Sequence, residues 1–320
     1  MKQFSNSSGV ALLTVLLLIL IMSLLATQLT QIFFKDIRNS KNVEFNSLSH
    51  IYIDFLQSHF QDVFGQSITQ NKSNINKSTV LAINDYSIEF QGFQANFEVK
   101  DFSNCFNINS IFLERDGNLL INQKTLLFFK QLLKVMEFDS AQVETIADNL
   151  IDWVDEDNLP RAYGKENYYY TGPANKSPRF TPKRLFFNTS ELRQLAGLSN
   201  VYERMQESVC VIPYSNNFSI NLNTLDTANA ELFSIFLKTP DVETAESIIS
   251  RIPLEGYGSL QDFFNLESDL ANTEFLNFLA TNSHTLYLEI TLDSGFTSAT
   301  YVSLMNLNGN SISILDTFKK

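Results

Sequence analysis

Asp152, Asp155, Glu156 and Asp157 fall within six residues, and Glu166 follows a loop punctuated by Pro160 and Gly164. Carboxylates this dense repel one another unless a cation lies among them. Oxygen ligands on a loop suit Ca²⁺, which takes about six to eight oxygens and accepts backbone carbonyls as well as carboxylates. Zinc does not fit, because no histidine stands nearby. Asp155-x-Asp157 starts like an EF-hand loop, but Pro160 holds the position where that loop needs glycine. The other reading of these residues is a solvated acidic helix end.

Other chemistry finds less material. The histidines are His50, His59 and His284. The first two lie in a stretch with helical spacing and the third begins an alternating stretch, so none belongs to a nucleophile–base motif. A metal-assisted hydrolase built on the carboxylates would still need a nucleophile or base, and the neighbourhood supplies neither clearly. Tyr168, Tyr169 and Tyr170 read as packing or loop anchors. No catalytic residue is assigned. The net charge of −12 offers no basic footprint for nucleic acid.

The elements that carry the loop begin at the N-terminus. Val10–Ala26 is an almost unbroken apolar run, and no charge appears between Lys2 and Lys35. Val10–Leu29 supplies the roughly 20 residues of a transmembrane helix, interrupted by Thr14, Ser23, Thr27 and Gln28. A secretory signal needs a small-residue cleavage site after the run, and Leu24-Leu25-Ala26-Thr27 is a poor one. Ser8-Gly9 lies before the run instead, so cleavage there would leave the helix on a mature chain starting at Val10. Lys2 on the cytoplasmic side agrees with the positive-inside tendency. Everything after the helix then lies outside the cytoplasm, where disulfides persist. Cys105 and Cys210 are expected to pair, with two buried thiols as the alternative.

From Gln28 to Val63 apolar residues recur at helical steps, including Phe45, Leu48, Tyr52, Phe55, Leu56, Phe60 and Val63. Gly65 is expected to end this helix, and Gln66–Ser78 to form a polar loop. Strands are expected at Thr79–Asn84, Tyr86–Phe90 and Phe93–Phe102. Helices are expected at Thr125–Phe138, Ser140–Val154, Ser190–Leu195, Asn200–Val209, Asn223–Phe236, Asp241–Ile252, Ser259–Leu266 and Asn272–Leu279, with a loop over Asp155–Thr189. Alternation returns at His284–Leu292, Thr297–Leu307 and Ser311–Leu315, with Asn308-Gly309 as a hairpin turn. The pattern predicts an α+β fold. A long N-terminal helix packs on an antiparallel sheet made from residues 30–109 and 284–320, with a helical domain, residues 110–283, inserted. Residues 1–9 form the leader and 10–29 the membrane helix.

Met1–Val63 resembles the prepilin family, in which a peptidase cuts after the glycine and methylates the new N-terminus, here Gly9 and Val10. Most pilins carry Glu at the fifth mature position. This chain has Thr14 there, which resembles the K-type minor pseudopilin of type II secretion. The run Asp152-Trp153-Val154-Asp155-Glu156-Asp157-x-x-Pro160-Arg161-x-x-Gly164-x-Glu166-Asn167-x-Tyr169-Tyr170 resembles that family's signature. CFNIN at Cys105–Asn109 and INLNT at Ile220–Thr224 extend the likeness over nearly the whole chain. The resemblance implies structural calcium held by Asp155, Asp157, Glu166 and Asn167, with Asp152 less firmly, and Asn167 stands where Asp is common. It implies a filament-tip role in the bacterial inner membrane, with the soluble domain in the periplasm. The implied partners are the I- and J-type minor pseudopilins, the major pseudopilin and the prepilin peptidase. Ile220–Leu266 also resembles helix-hairpin-helix repeats. Its hairpin, Lys238-Thr239-Pro240-Asp241, lacks the glycines that let backbone N–H groups reach phosphate. Competing readings are a tip minor pilin of a type IV pilus and a membrane-anchored metal-dependent hydrolase.

Overall fold

The computed structural model describes residues 7–70, 75–173, 178–199, 201–213, 215–267, 270, 274–308 and 311–320. Helix α1 (Ser7–Gln70) runs unbroken for 64 residues, about 96 Å at the usual rise of 1.5 Å per residue. It passes straight through Gly65, which has room around it for the helix to continue. Residues 10–41 are exposed throughout, and burial begins near Phe45. The buried face is Phe45, Ser49, Ile53, Leu56, Gln57 and Phe60. Phe55 and Val63, expected on that face, are exposed at its margin, where Phe55 stacks on Phe90. Two polar residues take their place because the sheet offers them partners. Ser49 Oγ meets the Tyr301 hydroxyl at 2.6 Å, and Gln57 Nε2 donates to Ser303 Oγ and Thr317 Oγ1 at 2.6 and 2.9 Å.

Helix α2 (Lys77–Asn84) replaces the strand expected at Thr79–Asn84. The β-branched run there reads as extended, but the Asn76 side chain accepts from Thr79 N and caps a helix. Strands β1 (Ser87–Phe90) and β2 (Phe93–Asp101) follow as a hairpin. The chain then enters the insert through β3 (Phe106–Asn107), the hairpin β4 (Phe112–Arg115) and β5 (Asn118–Ile121), and helices α3 (Gln123–Val135) and α4 (Ser140–Val154). Helix α4 starts with a capping box between Asp139 and Gln142. The span expected as a loop contains a short helix, α5 (Asn167–Tyr170). The helix expected at Ser190–Leu195 is a 3-10 turn, Thr189–Gln194, and helix α6 (Tyr202–Met205) is shorter than the pattern predicts, with β6 (Val209–Cys210) taking the end of its span.

A second passage begins with β7 (Ile220–Asn221). The single helix expected at Asn223–Phe236 is broken into 3-10 turns at Leu222–Thr224 and Thr227–Asn229 and helix α7 (Ala230–Ser234). Helices α8 (Val242–Ser250) and α9 (Leu260–Leu266) follow. The segment expected as helix at Asn272–Leu279 begins outside the described residues and ends as a 3-10 turn, Leu276–Phe278, leading into β8 (Leu279–Ala280). Strands β9 (Thr285–Asp293), β10 (Ser298–Asn308) and β11 (Ser311–Lys319) finish the sheet. The Asn308-Gly309 turn lies at the edge of the described residues and is not described.

The five-stranded sheet has the order β1-β2-β9-β10-β11, antiparallel throughout. Its inner face carries Ala95, Phe97, Val99, Leu288, Ile290 and Leu292 against α1, alternating with exposed or half-exposed residues. A second hydrophobic core runs from Phe106 to Leu279. Between the cores sits the Cys105–Cys210 disulfide, with Ile212 and Leu304 beside it. Asp101 ties the cores together: its Oδ2 accepts from Asn221 Nδ2 at 3.1 Å, from Thr224 Oγ1 at 2.6 Å, and from the Ser283 hydroxyl.

The insert is built from one unit used twice. Each copy opens on a short strand, has an asparagine at the N-cap of a 3-10 turn, and closes on a parallel partner strand. In the first, β3 pairs with β6; in the second, β7 pairs with β8. The Asn107 and Asn221 side chains accept from the backbone N–H of Asn109 and Asn223. Asn109 then accepts from Phe186 N at 2.9 Å and donates to the carbonyls of Phe186 and Ile212. Asn223 accepts from Tyr257 N at 2.7 Å and donates to those of Tyr257 and Thr281. Helical hairpins, α3–α4 and α7–α8, fill the same place in each copy. The copies differ after the second helix: Asp155–Leu185 intervenes before Phe186, whereas only Arg251–Gly256 intervenes before Tyr257. The acidic loop is therefore an extension carried by the first copy.

Candidate metal centre

The end of α4 delivers two carboxylates one turn apart, Asp148 and Asp152, and Asp155 is its C-cap. Asp152 is fully buried, and the Arg161 N–H donates to its two oxygens at 3.1 and 3.3 Å. Asp148 holds the next turn of loop by accepting from Arg161 Nε at 3.0 Å and from Tyr163 N at 3.1 Å. Gly164 packs directly on Asp152; a Cβ there would overlap the carboxylate. The loop then returns Glu166, only 1% exposed, as the N-cap of α5. Asp152, Asp155 and Glu166 each bring an oxygen within 4.8 Å of the others.

Two of these oxygens, Asp155 Oδ1 and Glu166 Oε1, are buried without a hydrogen-bond partner among the described residues. Buried oxygens left unpaired are costly, and the cost rises when they carry charge. Burial pushes the Asp155 carboxyl up to about 7, and the carboxylates of Asp157, Glu166 and Asp152 add to the shift. Burial likewise pushes Asp152 up to about 6, against the Arg161 N–H that favours its charged form. Convergent, desolvated, oxygen-only donors fit a hard cation.

Three comparisons bear on what this site belongs to. The family described as Type II secretion system (T2SS), protein K matches residues 104–214, which include the whole acidic loop. The "Putative type II secretion system protein K" of Escherichia coli strain K12 is 28% identical over 286 residues, covering 84% of this chain and 85% of its own. That of Pectobacterium carotovorum is 26% identical over 322 residues, covering 97% and 96%. Residues 104–214 match the type II secretion system protein K domain, and the chain is similar to K proteins over nearly its whole length. Its role is that of a minor pseudopilin in type II secretion. The fold agrees. A solved chain from the "GspK-GspI-GspJ complex from enterotoxigenic Escherichia coli Type 2 Secretion System" superposes with a TM-score of 0.61 at 17% identity, covering 84% of this chain and 99% of that one.

Within this pseudopilin the predicted ligands divide. Asp152, Asp155 and Glu166 come together. Asp157 is exposed, and its carboxylate accepts from Leu159 N at 2.7 Å. Asn167 Oδ1 accepts from Thr181 N and Oγ1, while its amide donates to Asn158 Oδ1. At the N-terminus Gly9 and Val10 both lie inside α1, with no break between leader and run. Two participants were not expected. Asp148 stood in the acidic stretch one turn before Asp152, a signal the sequence did offer. Lys183 gave none, since a lysine after proline reads as solvated loop.

The raised carboxyls set a pH dependence. In both, the folded state holds the proton more tightly than an unfolded chain with a value near 4. Their contribution is therefore present below about pH 4 and is lost as pH rises through the folded values of about 6 and about 7. In chelator, the unfolding temperature is expected to fall between about pH 5 and pH 7.5. Scanning calorimetry reads this; a rise across that window would count against the buried carboxyls.

Proposed function

We propose that this pseudopilin caps the tip of the secretion filament. The chain is cleaved after Gly9, methylated at Val10, held in the inner membrane by α1, and carries its sheet and insert in the periplasm. One observation carries the tip assignment. At Thr14, where a pilin offers a carboxylate to the amine of a neighbouring subunit, the hydroxyl donates to the Ala11 carbonyl at 2.9 Å within its own helix. A further subunit would find no ion pair there and would meet the bulk of the insert. The apolar, wholly exposed residues of the first half of α1 supply the surface that lipid and then other pilin-like helices cover. The solved relative comes from a complex with GspI and GspJ, and we assign this chain partners of the same I and J types, with the major pseudopilin beneath.

The acidic loop holds calcium in a structural role, with Asp152, Asp155 and Glu166 as its carboxylates. Bound calcium supplies positive charge that lets these oxygens be buried ionised. The insert is a scaffold rather than a catalyst. Mass spectrometry of the purified membrane protein is expected to show a methylated Val10 N-terminus, and intact Met1 would end the proposal. Co-purification should recover the I- and J-type subunits; recovery of type IV pilus subunits instead would favour the other tip role. Calcium at about 100 times its Kd should add about 2.7 kcal/mol of stability.

A further inference from the structure

Lys183 reaches into the acidic loop from the segment that leads to Phe186. Its ammonium donates to the carbonyl oxygen of Asp155 at 3.3 Å, to that of Asp157, and to Glu166 Oε2 at 3.4 Å. These are two backbone carbonyls and one carboxylate, the donor types a calcium ion takes from a loop. Lys183 itself sits at φ 50°, in the left-handed region that a β-carbon disfavours.

We propose that Lys183 is a tethered counter-ion that stands at the cation position in the metal-free protein and leaves it when calcium binds. This rests on the calcium reading of the loop. The ammonium satisfies only part of this oxygen set. It pairs Glu166 Oε2 but leaves Glu166 Oε1 and Asp155 Oδ1 buried without partners among the described residues. Lys183 and Arg161 are also two cations facing four carboxylates, Asp148, Asp152, Asp155 and Glu166, so the loop stays under-neutralised. A divalent ion with more ligand positions satisfies both deficits, which is why it displaces the lysine. Until then the lysine keeps the loop closed. Its cost is affinity, because calcium sees only the fraction of molecules in which the position is clear.

The test uses the full-length chain in detergent, with calcium titrated from a chelated start. Thermal unfolding and calorimetric binding are read for wild type, Lys183→Met and Lys183→Gln. In chelator, Lys183→Met is expected to unfold about 2–4 °C below wild type. It is expected to bind calcium roughly tenfold more tightly, and to match wild type at saturating calcium. Lys183→Gln, which keeps a donor for the carbonyls, should lie between them in chelator and also bind more tightly. A methionine variant that folds only with calcium supports the proposal. Unchanged calcium affinity in both variants, or an equal loss of unfolding temperature with and without calcium, overturns it while leaving the calcium site standing. If no protein in the set responds to calcium, the site itself fails and the exchange fails with it.

Discussion

Replacing Cys105 and Cys210 together by serine is expected to cost about 4–5 kcal/mol, the value for closing a loop of about 100 residues. The bridged cysteines are 105 residues apart, so the bond restrains almost the whole first unit of the insert. Its position sharpens the effect. Cys210 pairs with Asn107 in the two-residue contact between β3 and β6, the only strand pairing that closes that unit among the described residues. Its sulfur also lies between the sheet core and the insert core, beside Leu304 of β10. The serine pair should therefore uncouple the cores as well as weaken one. Denaturant unfolding followed by cysteine-independent probes is expected to change from one transition to two, with the first unit of the insert unfolding ahead of the sheet. A single transition with an unchanged midpoint would show that the strand contact and the Asp101 network suffice alone.

Asn109→Leu comes next, with an expected cost of about 4 kcal/mol. Asn109 is fully buried, and its amide makes three hydrogen bonds to main chain at Phe186 and Ile212. Leucine has similar volume but leaves the Phe186 N–H and carbonyl unpaired, each worth about 1–3 kcal/mol when buried, and leaves the Ile212 carbonyl only the Ser215 N–H at 3.4 Å. The loss falls where the acidic loop rejoins the unit, so Asp155–Leu185 should become open to protease before the sheet does. Asn223→Leu is the matched control in the second unit, where Tyr257 and Thr281 lose the same kind of partner. The two costs should add, since the residues share no partner. Limited proteolysis with fragment masses distinguishes the sites. Equal cleavage of both units by either variant would show that they unfold as one.

How far the sequence reveals this molecule depends on the range of the forces involved. Strand β9 is legible because alternation is a local signal and its two faces differ: Leu286, Leu288 and Ile290 are fully buried between half-exposed neighbours. Helix α4 is legible from its cap. The break within Asn223–Phe236 is only partly so: the Asp226–Asn229 capping box that restarts the helix is local, whereas the Asn223 amide is held by Tyr257, far along the chain. Thr79–Asn84 misleads because its β-branched residues outweigh the Asn76 cap in a local reading. The doubled unit is hidden because its spacers differ in length, although the two Asn-x-Asn motifs are visible. At the site, residue type alone points to the carboxylates. Which of them converge is decided by Gly164 and Arg161, whose close approaches to Asp152 have no one-dimensional trace.

Helix α1 has a mechanical consequence. It is one rod without a hinge: residues 10–41 touch nothing that buries them, while farther along Ser49 and Gln57 key it to Tyr301, Ser303 and Thr317. A thrust along the rod therefore reaches the sheet as shear over many contacts at once, not as torque at a flexible joint. The polar keys also fix the rod's rotation, so a screw motion imposed on its foot turns the load at its head by the same angle.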